Sequence, residues 1–257
     1  MLRPIRIAIL LTILVIVAGS QWLKENRLGR WDKSLWMTIY PILAEPDKDL
    51  QNFADGLQVR SFRDIGLFLR QQAAHYGRGS QEPLVIQVAR PLDHLPPSLP
   101  VENSGFSVAL WSLKMRWWVW MNGRQDGLAP ADVQMFVVYQ KKPSDGQLER
   151  SVGMRKGSYG VVNAVAGRQM AAHNRIVITH ELLHILGATD KYELYTGQPI
   201  APDGLANPKQ SPLYPQTRAE IMAGRIAVST NRRRNPASLK ACAVGNKTAR
   251  EIGWLTD

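Results

Sequence analysis

Runs of apolar residues recur along the chain with two periods, one suited to strands and one to helices. Leu35–Leu43 (LWMTIYPIL) is a nearly unbroken apolar run of strand length, and 83–89, 132–139 and 159–166 are similar, the last two rich in valine. Residues 59–76 repeat Phe62, Ile65 and Leu69 at helical spacing, while 174–186 sets Ile178, Leu182 and Ile185 on one stripe. A short helix over 247–254 follows near the end. Pro91, Pro96, Pro97 and Pro100 make 90–100 an extended loop. The order strand, helix, strand, helix, strand, strand, helix predicts a mixed α/β (α+β) fold. No repeat or low-complexity linker interrupts it, so 24–257 reads as a single domain whose first element begins near residue 34.

Two apolar stretches stand outside this alternation. Residues 104–121 carry Trp111, Trp117, Trp118 and Trp120 and are broken mainly by Lys114 and Arg116. A helix apolar nearly all round is expected to be buried, with a strand or a membrane-surface contact as the alternatives. Residues 7–23 carry no charge and follow Arg3 and Arg6. That is the arrangement of a membrane anchor, or of a signal peptide cut after Ser20. Either makes the protein membrane-anchored or exported, with the remainder extracytoplasmic (periplasmic or extracellular).

Composition narrows the partners. Of 257 residues 45% are apolar and 21% charged, which excludes a disordered chain. The net charge of +11 suits an anionic partner, and 209–251 concentrates nine Lys and Arg against two Glu, including Arg232, Arg233 and Arg234. This reads as a solvated face, with contact to anionic lipid or an acidic cell-envelope component as the alternative. No groove-reading motif accompanies the charge, so nucleic acid is not expected. Cys242 is the only cysteine, which excludes an intrachain disulfide and any cysteine-based zinc site. A metal would rest on histidine and carboxylate.

One constellation offers that chemistry. His180, Glu181 and His184 form HExxH on the predicted helix 174–186. Four residues advance an α-helix by about 6 Å and return to nearly the same face, so His180 and His184 can both reach one zinc ion. Glu181, beside that face, can take a proton from the attacking water and pass it to the leaving amine. Gly187 lets the chain turn sharply at the helix end, and Asp190 follows three positions later as the candidate third ligand. Glu193 and Glu220 are the alternatives. His75, His94 and His173 each stand alone and are not read as ligands.

The pattern HExxHxxGxxD resembles the metzincin zinc peptidases, whose usual motif ends in histidine, and is most similar to the snapalysin-like variant ending in aspartate. The resemblance spans residues 179–224. It implies a zincin-like mixed sheet with a long active-site helix and a C-terminal helix. It also implies that Met222, in AEIMAG, forms the Met-turn beneath zinc, and that 159–166 is an edge strand on which an extended peptide lies. The expected function is a membrane-associated or exported zinc metalloendopeptidase acting on a peptide or protein substrate. The alternative is a non-catalytic, zinc-stabilised cell-envelope binding module.

Overall fold

The computed structural model describes residues 27–78, 82–98, 100, 104–141 and 150–255, with Ile7, Leu11, Thr12 and Gly19 ahead of them. The apolar segment 7–23 otherwise lies outside the described residues, and among these no helix is long and apolar enough to cross a membrane.

Five strands form one mixed sheet in the order β2-β1-β3-β5-β4. They are β1 (Leu35–Leu43), β2 (Leu84–Val88), β3 (Val133–Gln140), β4 (Val152–Met154) and β5 (Tyr159–Val165). All pairings are parallel except that of β4, which runs antiparallel to β5 at the sheet edge. Strands covered on both faces need apolar residues at every position, which is why β1, β3 and β5 read as continuous runs. Met37, Ile39, Met135, Val137, Val162 and Ala164 point into the larger core. Tyr40, Ile42, Phe136, Val138 and Val161 point into a smaller one on the other face.

Helices α1 (Lys48–Asp55), α2 (Arg63–His75) and α4 (Ala171–Leu186) contribute to the larger core side. The predicted helix 59–76 divides into a 3-10 turn, Val59–Phe62, and α2. Helix α1 is absent from the sequence expectation because its eight residues carry little apolar signal beyond Leu50, Phe53 and Ala54. The last helix, α5 (Asn246–Glu251), is shorter than expected.

Helix α3 (Gly105–Asn122), capped by the Ser104 hydroxyl, covers the smaller core. Its expected burial is not found. Trp111, Met115 and Val119 seal against the sheet at i, i+4 and i+8, but Phe106, Leu113, Trp117 and Trp120 are 80%, 65%, 65% and 55% exposed. The circumference is apolar because the helix carries two apolar stripes on opposite sides, and the sheet covers only one.

Strand β5 sits between β3 and β4, so the edge belongs to β4, which the sequence reading missed. Three residues, one of them Gly153, give no readable period.

Candidate metal centre

The site grows from the last two turns of α4. Ile178, Leu182 and Ile185 are fully buried and fix the helix in the core, leaving His180 and His184 on its other side. The helix ends at Gly187, whose φ of 111° lies in the left-handed region. The Ala188 amide then donates to the Leu183 carbonyl, closing a tight reversal. Its consequence is that Asp190 returns to the helix. Asp190 Oδ1 stands 3.1 Å from Nε2 of both His180 and His184, and the two Nε2 atoms are 3.0 Å apart.

The other ring nitrogens are already engaged. His180 Nδ1 lies 3.0 Å from the Ile221 carbonyl and His184 Nδ1 lies 2.8 Å from the Ala188 carbonyl. Each therefore carries its proton on Nδ1 and turns a lone pair inward from Nε2. Two imidazole lone pairs and a carboxylate oxygen thus converge with no donor among them, unless one ring takes a second proton. Burial alone would lower the pKa of His184, but Asp190 and the Ala188 carbonyl outweigh it and raise it. Burial alone would raise that of Asp190, but the two imidazoles hold it well below the ordinary carboxylate range.

A metal ion removes the need for the extra proton, and the donor set fits one. Three donors around a tetrahedral ion with bonds of about 2.0–2.1 Å stand about 3.4 Å apart, close to the observed triangle. Among the described residues, no fourth His, Cys, Asp or Glu joins the cluster. Glu181 is buried beside it, and its Oε2 has no hydrogen-bond partner. Burial raises its pKa, partly offset by the two imidazoles.

The segment around Met222 joins the two ligand-bearing stretches. Glu220–Gly224 is a tight turn in which the Ile221 carbonyl meets His180, while the Met222 carbonyl accepts from the amide of Lys191, next to Asp190. Met222 is fully buried. Glu220 holds the turn and is not a ligand: Oε2 accepts from the amides of Met222 and Ala223, and Oε1 from Gly245 N–H and the Thr248 hydroxyl. Glu193 is likewise diverted, accepting from the amides of Tyr195 and Thr196.

Several contributors lie outside the sequence expectation. Lys191 is buried and reaches Glu251 at 2.6 Å, as well as the Thr189 carbonyl, so the Asp190 turn is tied to α5. Tyr192 stands near Asp190, and burial, reinforced by the charge of that carboxylate, raises its pKa. A cavity of about 270 Å³ opens beside His180, walled in part by Tyr192, His173, Arg225 and Arg233 and by no carboxylate. Burial, and then the neighbouring Arg233, lowers the pKa of Arg225. A signal did exist for two residues. Glu220 and Glu251 are the only acids in the basic stretch 209–251, and both hold the site together.

No protein-family model and no curated protein matches this chain.

Proposed function

We propose that the protein is a zinc-dependent hydrolase of peptide bonds, of the metzincin type its motif resembles. The observation that carries this reading is the convergence of two Nε2 lone pairs and Asp190 Oδ1 beside a buried, unpartnered Glu181 oxygen. His180, His184 and Asp190 would hold the ion; two nitrogens and an oxygen suit zinc. Bound there, zinc supplies Lewis-acid polarisation of the scissile carbonyl and lowers the pKa of water. Glu181, its carboxyl raised by burial, takes a proton at Oε2 and returns it to the leaving amine. The outer edge of β4, which pairs with no other strand among the described residues, offers backbone groups to an extended peptide. The cavity beside His180 favours an acidic side chain, since Arg225 and Arg233 line it without a counter-charge. A three-donor set with one position open supports catalysis over a closed structural site.

Two variants test the reading. Glu181→Ala should retain stoichiometric zinc and lose peptide hydrolysis by about 10²–10⁴-fold, whereas His184→Ala should lose both. Metal content is read by elemental analysis and hydrolysis with a mixed peptide pool. Wild-type protein that takes up no zinc, or Glu181→Ala protein that hydrolyses as wild type does, would overturn the proposal.

A further inference from the structure

The outer stripe of α3 is an apolar surface that the fold leaves exposed. At about 100° per residue, Phe106, Leu110, Leu113, Trp117 and Trp120 fall within one narrow stripe, diametrically opposite Trp111, Met115 and Val119. Lys114 and Arg116 lie about 80° to either side of it. An apolar stripe with tryptophan in it and a cation on each flank is the pattern of a helix lying in a bilayer interface, its basic side chains reaching out to headgroups.

A second observation gives the charge of those headgroups. A cavity of about 590 Å³ opens at the C-terminal end of α3, where Trp120 forms part of its wall. Arg116, Arg124 and Lys156 also line it, and no acidic residue does. The exposed indoles and the cationic cavity therefore adjoin, as an anionic phospholipid requires: acyl chains against one, phosphate in the other.

A third observation concerns the rest of the chain. Both the Tyr40 hydroxyl and the Gln134 amide donate to the Gly123 carbonyl, fixing the end of α3 to the sheet. At the start of that same β3, Asp132 pairs with Arg27 at 3.3 Å. The uncharged run 7–23 ends only four positions before Arg27. The chain thus enters the fold from its most apolar segment at the end of the sheet that carries the cavity.

We propose that α3 docks on an anionic phospholipid bilayer, with Leu110, Leu113, Trp117 and Trp120 in the acyl boundary and lipid phosphate in the cavity of Arg116, Arg124 and Lys156. This surface is distinct from the metal site, which lies across the sheet on α4. The two remain connected: Arg155 packs against Gly187 at the end of α4, while its neighbour Lys156 lines the cavity.

Site-directed labelling of the full chain tests the proposal. Cys242 is buried and burial pushes its thiol up to about 12, so it stays unlabelled while a new exposed thiol reacts. A fluorophore on Leu113→Cys, in protein reconstituted into phosphatidylcholine vesicles containing phosphatidylglycerol, should be shielded from aqueous iodide and quenched by doxyl groups in the acyl chains. The same fluorophore on Tyr195→Cys, a 98% exposed position, should show the reverse. Replacing Arg116 and Arg124 by Glu should lower the docking equilibrium constant by at least about fivefold per cation removed. A Leu113→Cys label open to iodide in these vesicles overturns the proposal. So does one shielded from iodide yet untouched by the acyl-chain quencher, since protein would then cover the helix. Docking of equal strength on pure phosphatidylcholine would remove the anionic-headgroup assignment.

Discussion

A carboxylate's role in this protein is set by the donors that surround it. Asp190 faces two imidazole nitrogens whose protons are committed elsewhere, and so presents an oxygen to a cation. Glu220, thirty residues on, receives four hydrogen bonds and anchors a turn. Glu220→Gln turns an amide NH₂ toward donors and should cost about 2–3 kcal/mol, read as a lower urea midpoint. Zinc affinity should fall with it, because the Ile221 carbonyl that orients His180 belongs to the same turn. Glu251 gives a pH-dependent counterpart. Burial would raise its pKa, but the Lys191 ammonium and the Thr189 amide and hydroxyl outweigh burial and lower it. An acid with a depressed folded pKa adds stability that is fully present above its unfolded value, about 4.3, and is lost as pH falls through the folded value. Lys191→Met removes the largest of the lowering causes. That variant should lose about 2–3 kcal/mol at neutral pH and show a shallower decline of urea midpoint between about pH 5 and pH 3. At the cavity beside His180, Arg225→Glu should reverse a preference for acidic peptides, read as kcat/KM for matched Asp and Lys substrates.

At the scale of elements, close approach between strand and helix builds the site. Gly153 of β4 lies where a Cβ would overlap the Glu181 carbonyl oxygen and come within 2.9 Å of His184 Cβ. Gly153→Val should therefore push the edge strand off α4, costing about 1–3 kcal/mol by overpacking and reducing hydrolysis more than zinc content. Unfolding midpoints and metal analysis on the same preparation separate the two effects. This contact also marks where the sequence ceases to be legible. Continuous apolar runs located β1, β2, β3 and β5, and helical spacing located α2 and α4, because each carries its own buried apolar residues. The spacing of His180, His184, Gly187 and Asp190 is local, and a local motif survives the loss of tertiary information. Strand β4 escaped notice because three residues carry no period, and its place at the edge follows from a pairing made only in the folded sheet. Helix α3 misled for a different reason. Trp117 and Trp111 are equally apolar, and only the position of the sheet decides which of them is covered. Lys191 gave no warning of burial, since its partner Glu251 is sixty residues away.

For the molecule as a whole, a metal held by His180, His184 and Asp190 would act as a fastening between parts remote in sequence. One end of it is α4, another is the Asp190 reversal, and the turn 220–224 supports both through the carbonyls of Ile221 and Met222. Without an ion the three inward lone pairs repel one another unless one imidazole takes a second proton, which Asp190 favours on His184. An ion that binds only the folded chain stabilises it by mass action, by about 4 kcal/mol when free zinc is a thousandfold above its dissociation constant. At roughly 2–4 °C per kcal/mol for a chain of this size, chelation should lower the melting temperature by about 10 °C, and added zinc should restore it. Glu181→Ala should show the same shift, because the glutamate is not a ligand, and His184→Ala should melt at one temperature with or without chelator. Coincident melting of wild type in zinc and in chelator would mean that hydrogen bonds alone hold the triad, and the fastening role would be withdrawn.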